Sequence, residues 1–195
     1  AVALGLRFFP RYYFHLVPPI VLLAARGFTL LPARRAALLA LLLLIPAARF
    51  GPRHLAVARG EPWTDLAMFD SSRQAAAWLR VHASAGDTLL VWGYRPELFP
   101  LAGLRAGTRY LDSQPLTGVL ADRHLVSAEP AFPRWAEQNR RELLRGPRPA
   151  WIADGLGPYN PRLDARNFLG PWMPGYRLEA VLPGYRIYRR TGPAQ

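Results

Sequence analysis

Two runs of apolar residues near the start, Tyr12–Ala25 and Ala36–Ala48, limit what this chain can fold into more than any other feature. They sit inside the stretch RYYFHLVPPIVLLAARGFTLLPARRAALLALLLLIPAARF, and a short link carrying Arg26, Arg34 and Arg35 joins them. Neither run has a polar face, and Ala36–Ala48 is apolar at every position, so it is no amphipathic surface helix of a soluble domain. Each run alone is shorter than the roughly 20 residues a membrane span needs. Phe8, Phe9 and Phe28–Leu31 extend the first run, and arginines at the ends can lay their stems along apolar surface and keep their charge in the headgroups. The pattern predicts a helical hairpin crossing a membrane twice. The competing arrangement is a pair of helices buried in a large soluble core.

Charge is distributed to match. Residues 1–60 hold eight arginines and no Asp or Glu, whereas the remainder holds 17 arginines against 13 acids, so most of the net charge of +12 surrounds the apolar runs. Arginines flanking hydrophobic runs fit anionic headgroups or a lipid-linked phosphate, and argue against nucleic acid, which calls for a basic polar helix or an aromatic-studded sheet. The chain has no lysine, a mark of biased codon usage, so arginine numbers alone identify no site. It also has no cysteine, which excludes disulfides, thiolate metal sites and cysteine nucleophiles. It opens on Ala1 without a signal peptide of the usual form, and the expectation is the C-terminal end of something longer.

Along the chain, Ala1–Pro10 belongs at the membrane interface, with Arg7, Arg11, Tyr12 and Tyr13 forming a basic and aromatic belt. His15 lies one turn inside the first span and packs against protein, and Pro18–Pro19 and Pro46 are expected kinks. Gly51–Thr64 reads as a linker. The expected organisation is a hairpin over residues 1–50, a linker over 51–64 and an α/β domain over 65–195.

Within that domain Asp70 is the expected N-cap of a helix running to about Ala83, burying Ala75, Trp78, Leu79 and His82. Thr88–Trp92 is a continuous apolar run suited to a central strand. Pro96–Leu101 reads as a short helix, Gly107–Asp112 as a second strand and Pro130–Leu144 as a helix burying Phe132, Trp135 and Leu143, with Gly146 past its end. Ala150–Ala153 is a third strand, and Tyr176–Leu182 with Tyr185–Arg189 a terminal hairpin about Pro183–Gly184. The fold class is therefore α/β: two apolar helices, then a small domain with a mixed, partly parallel sheet and a C-terminal β-hairpin.

Few residues offer chemistry. Gly155-Leu156-Gly157 resembles the start of a phosphate loop, but Asn160 stands where a third glycine belongs and Pro158 opposes the helix such a loop requires. No metal-binding or nucleophile motif is present, and no Asp-x-Asp, so no cofactor or metal site is expected in this chain. The acids near element ends are Asp70, Asp87, Asp112, Asp154 and Glu97; Asp70 reads as a cap and Asp87 as a turn residue. Glu97 closes WGYRPE at the carboxyl end of the presumed central strand, where open α/β sheets bind ligands, so Trp92–Glu97 is the best candidate site. A first-turn glutamate favoured by the helix dipole is the simpler account of Glu97.

Taken together, FFPRYYFHLVPPIVLLAARG, GDTLLVWGYRPELFPLAGLRAGTRYLDSQPLTG, RPAWIAD and GYRIYRR resemble, in order, the last part of bacterial GT-C glycosyltransferases of the protein-mannosyltransferase-like (family 39) and aminoarabinose-transferase-like kind. The first word resembles the segment before a late span, the rest their C-terminal extracytoplasmic domain. One departure is Arg11, which stands where the family's Phe-Pro-His-Tyr-Tyr word has His; a guanidinium can clamp a phosphate through two hydrogen bonds. The resemblance implies a multi-pass protein of the bacterial inner membrane with its last domain outside the cytoplasm. It implies sugar transfer from a polyprenyl-phosphate donor, and a partner domain of further spans carrying the catalytic Asp, since no acid precedes Glu61 here. Arg7, Arg11 and Tyr12 would then help hold the donor phosphate, and Trp92, Gly93, Tyr94, Glu97 and Arg109 would shape the acceptor side or a domain interface. Two other classes stay open: a membrane-anchored α/β module that binds without catalysis, and a soluble nucleotide-binding protein.

Overall fold

The computed structural model describes residues 17–42, 44–61 and 64–192, with backbone alone at positions 28, 36, 38, 39, 64 and 65. Arg7, Arg11, Tyr12, Tyr13 and His15 lie outside the described residues. The chain divides into two units between Pro62 and Trp63.

The first unit is helical: α1 (Val17–Leu30), α2 (Ala33–Leu42) and α3 (Leu44–Ala58). The stretch Ala33–Ala58 counts 26 residues, with mean hydropathy 1.5 and none of its most apolar window buried. It is long and apolar enough to cross a membrane. The helical stretch extends beyond the expected apolar run Ala36–Ala48 at both ends, taking in Arg34, Arg35, Arg49 and Arg53. α1 is apolar but has 14 described residues, so one helix among the described residues, not two, reaches spanning length. Gly51 and Pro52 do not end α3, as the linker reading required; Pro52 sits inside the helix and leaves only the carbonyl four residues back without its usual donor. The stop comes at Gly60, whose φ of +80° closes a left-handed cap: its N–H bonds Val57 O (2.9 Å) and the Glu61 N–H bonds Ala56 O (3.0 Å).

The second unit is built on a mixed five-stranded sheet. Its strands are β1 (Thr88–Trp92), β2 (Arg105–Ala106), β3 (Trp151–Asp154), β4 (Tyr176–Leu182) and β5 (Tyr185–Arg190), in the order β2-β1-β3-β5-β4. β1 runs parallel to both β2 and β3; β5 is antiparallel to β3 and to β4, which closes the C-terminal hairpin. The apolar continuity of TLLVW follows from burial on both faces. Leu89 and Val91 meet α4 (Thr64–His82) and α5 (Leu98–Ala102) through Ala75, Ala76, Leu79, Leu98 and Phe99. Leu90 and Trp92 meet the opposite layer, made by α6 (Gln114–Thr117), α7 (Pro133–Arg145), α8 (Ala165–Phe168) and the irregular chain around them.

Hairpin β4–β5 serves both layers through one extra residue. Leu178 pairs with Tyr188 and Ala180 with Ile187, so Glu179 has no partner across the ladder. With a side-chain period of two, one inserted residue exchanges the faces. Tyr176 therefore packs with Tyr188 on one side, while Ala180 and Leu182 pack with Ile187 and Tyr185 on the other.

Several local expectations need correction. α4 starts at Thr64, not at Asp70: Leu66, Ala67 and Met68 are strong helix formers, and Asp70 merely faces solvent in mid-helix. Of its predicted inner face, Ala75 and Leu79 are buried, but His82 is exposed and stacks on Trp78 with ring centroids 3.8 Å apart. Gly107–Asp112 is not a strand. Thr108 Oγ1 takes the Tyr110 N–H and donates to the Tyr110 carbonyl, and Asp112 takes the Gln114 N–H, so local side chains occupy backbone groups that a ladder would use. α7 buries Ala136, Asn139 and Leu143, leaving Phe132 and Trp135 half exposed at 51% and 48%. Ala136 faces inward because the backbone at Gly118 passes close to it, and Asn139 because its amide donates to Pro115 O (2.9 Å).

Candidate functional site

The order β2-β1-β3 sends the chain first to one side of β1 and then to the other, so the sheet changes direction between β1 and β3. Open α/β sheets bind ligands in the crevice outside the carboxyl ends of such a strand pair. Two segments leave the sheet there, Trp92–Glu97 after β1 and Gly155–Asn160 after β3, tied by the Gly155 N–H on Trp92 O (2.8 Å).

The residues singled out in WGYRPE take different positions. Trp92 is wholly buried, with its indole N–H donating to Leu163 O (2.8 Å). Gly93 holds φ +152°, in the range that favours glycine, and its carbonyl accepts the Ser113 N–H (3.0 Å). Tyr94 is half buried: its hydroxyl donates to Val119 O and its ring stacks on His124, centroids 4.2 Å apart. Burial pushes the Tyr94 phenol up to about 12, and burial first, then the charge of Arg95, lowers the His124 imidazole. Glu97 is half buried and accepts from Ser72 Oγ at 2.9 Å. Ser72 Oγ lies 3.0 Å from the Tyr185 hydroxyl; with its own proton directed at Glu97, it accepts from Tyr185. Burial raises the Tyr185 phenol, which keeps that proton in place.

Arg109 does not join this cluster. It pairs with Glu142 of α7 and lies over the Tyr110 ring, two residues past Gly107. A Cβ at Gly107 would sit 2.8 Å from Pro149 and 3.0 Å from Thr88, at the amino ends of the same strands.

Arg95, inside the stretch Trp92–Glu97 but not singled out from it, is the residue the site centres on. Arg95 is 5% exposed. Its Nη1 donates to Met68 O (3.1 Å) and Ser71 Oγ (2.9 Å), and its guanidinium lies 5.1 Å from the Tyr159 ring centroid and 5.2 Å from that of Tyr185. Its Nη2 is buried without a partner, and no carboxylate lies in ion-pair range among the described residues. A buried cation without a counter-charge was the available signal, but in a chain whose every basic residue is arginine the sequence does not single it out.

The second segment closes on itself. Asp154, wholly buried at the end of β3, accepts three backbone N–H groups: Leu156 (3.0 Å) and Gly157 (2.7 Å) on one oxygen, Ala165 (3.1 Å) on the other. The amides a phosphate would need in Gly155-Leu156-Gly157 are thus already occupied by the chain's own carboxylate. Asp87 and Asp112 are spent similarly, Asp87 on the Ser84 N–H (2.9 Å) and the Trp151 indole (2.8 Å). Among the described residues, no group of three or more His, Asp and Glu could hold a metal ion.

Burial pushes the Asp154 carboxyl up to about 6, against the three amide donors, and neighbouring Asp164 adds to the rise. Between pH 4 and 6 the folded protein holds a proton there that the unfolded chain has released, so this group's contribution to stability falls as pH rises through that window. Asp164 runs the other way. Burial alone would raise its carboxyl, but hydrogen bonds and charge from Arg166, with the charge of Arg186, bring it below the ordinary value, and its contribution is lost on acidification. The unfolding free energy of the wild type minus that of Asp154→Asn is expected to drop by on the order of 3 kcal/mol from pH 4 to pH 7. Denaturant titrations at both pH values check this; an unchanged difference means the carboxyl is already ionised at pH 4.

Compared with profiles of known families, with curated proteins and with solved structures, the chain matches none of them.

Proposed function

We propose that this chain is the C-terminal part of an integral-membrane glycosyltransferase of the GT-C kind, in which a sugar passes from a polyprenyl-phosphate donor to an extracytoplasmic acceptor. The observation that carries the reading is the helical stretch Ala33–Ala58, apolar and unburied along its spanning window, ahead of an α/β unit with its own core. Apolar surface of that extent is at home in lipid or among other spans. Upstream spans supply the rest of the membrane domain and the catalytic Asp. Arg7, Arg11 and Tyr12 bind the donor phosphate. On the acceptor side, Tyr94 and Tyr159 offer ring faces and Glu97 a carboxylate, chemistry suited to the hydroxyls of a glycan, while Trp92 and Gly93 hold the strand end from within.

Transfer is tested in the full-length enzyme. Arg11→Ala is expected to raise the donor concentration needed for half-maximal rate about tenfold, the loss of one charge-assisted phosphate contact. An unchanged donor dependence removes Arg11 from the donor site. Location is tested separately, and a chain without cysteine makes the test clean. Ala85→Cys places one thiol at an exposed position of the α/β unit. It is expected to react in intact cells with a reagent that does not cross membranes; labelling only after lysis puts the unit in the cytoplasm.

A membrane-anchored module that binds a glycan without chemistry is the second reading. It is favoured by the state of Glu97, whose oxygen already accepts from Ser72. Sugar transfer that survives Glu97→Gln with unchanged rate assigns the α/β unit to binding alone.

A further inference from the structure

At the edge of the α/β unit away from the crevice, where β3 begins and β5 ends, lies a cavity of about 490 Å³. Arg145, the last residue of α7, Arg148, on the way into β3, and Arg190, the last residue of β5, all line it, together with Gly175 and Thr191. Among the described residues, no acidic one lines it. None of the three arginines has a carboxylate in ion-pair range among the described residues; Glu137 is paired with Arg141, Glu142 with Arg109 and Glu179 with Arg177.

We propose that this cavity binds a phosphate group. Three guanidiniums drawn from three separate elements repel one another unless an anion sits among them. The Nε of Arg190 is buried and has no partner, while its Nη1 is spent on Arg148 O. A buried guanidinium N–H left open is costly, and an oxyanion is the partner it fits. Backbone geometry holds the arginines around the space. The Arg190 N–H bonds Ala150 O (2.9 Å), and Gly175 O takes both the Thr191 N–H (2.9 Å) and the Thr191 hydroxyl (3.2 Å). Arg148 comes close to Gly175: a Cβ there would stand 3.0 Å from Arg148 Nη1.

Phosphate fits better than carboxylate. Its terminal oxygens spread in three dimensions and meet guanidiniums arriving from different sides, whereas a carboxylate offers two oxygens in one plane. The cavity exceeds the needs of one phosphate and leaves room for whatever is esterified to it, a soluble phosphate ester or a lipid headgroup. This inference is independent of sugar transfer and stands or falls on binding alone.

The test uses the full chain in an uncharged maltoside detergent, titrated with pyrophosphate by calorimetry at low salt. Saturable binding with a Kd of about 1 mM or tighter is expected. Arg148→Gln with Arg190→Gln should weaken it at least about tenfold, and Arg145→Gln alone, an exposed change that leaves the fold untouched, about threefold. Arg123→Gln, an exposed change beside His124 at the crevice and so at the opposite end of the sheet, should leave it within about twofold. Repeating the titration in nanodiscs of phosphatidylcholine with and without phosphatidic acid identifies the source. A tenfold loss of apparent pyrophosphate affinity confined to phosphatidic acid discs assigns the site to a headgroup, and equal affinity in both assigns it to a soluble ester. Absence of saturable binding, or equal affinity in wild type and Arg145→Gln together with the double variant, overturns the proposal.

Discussion

Asp154→Ala is expected to remove on the order of 4 kcal/mol from the stability of the α/β unit, a large share of the roughly 5–15 kcal/mol a folded domain has. The carboxyl sits wholly buried and takes the N–H groups of Leu156, Gly157 and Ala165. Alanine leaves all three without an acceptor, and each unmet buried donor costs about 1–3 kcal/mol. Loop geometry makes the loss hard to repair, because a Cβ at Gly157 would already stand 2.4 Å from Asp154 Oδ2 and 3.1 Å from the Asp164 backbone, so the two segments touch. Measurement at pH 5, by denaturant unfolding followed through tryptophan fluorescence, keeps the ionised carboxylate from offsetting the result. A loss below about 1 kcal/mol would mean that water satisfies the three amides.

Arg95→Met is expected to have opposite consequences for stability and for activity. Removing the guanidinium orphans nothing: Ser71 Oγ still donates to Met68 O (2.8 Å). What disappears is a buried charge without a carboxylate and its contacts with the rings of Tyr159 and Tyr185, the latter worth about 0.5–1 kcal/mol each. Replacing buried ionic groups by apolar ones of similar volume is often neutral or stabilising. The variant should therefore unfold at equal or slightly higher denaturant concentration. On the proposed function, sugar transfer should fall at least about tenfold in this variant, because a buried charge kept without a carboxylate at the ligand end of the sheet would have its use there. Destabilisation by more than about 2 kcal/mol, with activity falling in step, would make Arg95 a structural residue.

Much of the scaffold was legible from local pattern. The hairpin about Pro183–Gly184 and the apolar run Thr88–Trp92 read to within a residue, because turn chemistry and a continuous apolar strand are signals carried by neighbours in sequence. The failures lie where a distant residue decides. Nothing local marks Glu179 as an insertion, since the register is set by Tyr188 and Ile187. Phe132 and Trp135 look like a buried face until Asn139 is seen bonded to Pro115 O across the layer. Gly51–Pro52 carries breaker chemistry, yet the helix passes through it and stops at Gly60. Of the candidate site, local pattern placed Glu97 just past the carboxyl end of β1, but Ser72, Tyr159 and Tyr185 reach Glu97 and Arg95 from elements far apart in the chain.

The unpaired Glu179 also governs how this unit behaves among its own copies. Sheet growth needs an uninterrupted rail of free backbone groups along an outer strand. On one flank β2 offers two residues, and on the other the rail is broken midway along β4, with the charges of Arg177 and Glu179 set beside the gap. Among the described residues neither outer strand offers a long unbroken rail, so copies crowded together at a surface are poorly equipped to zip into a common ribbon.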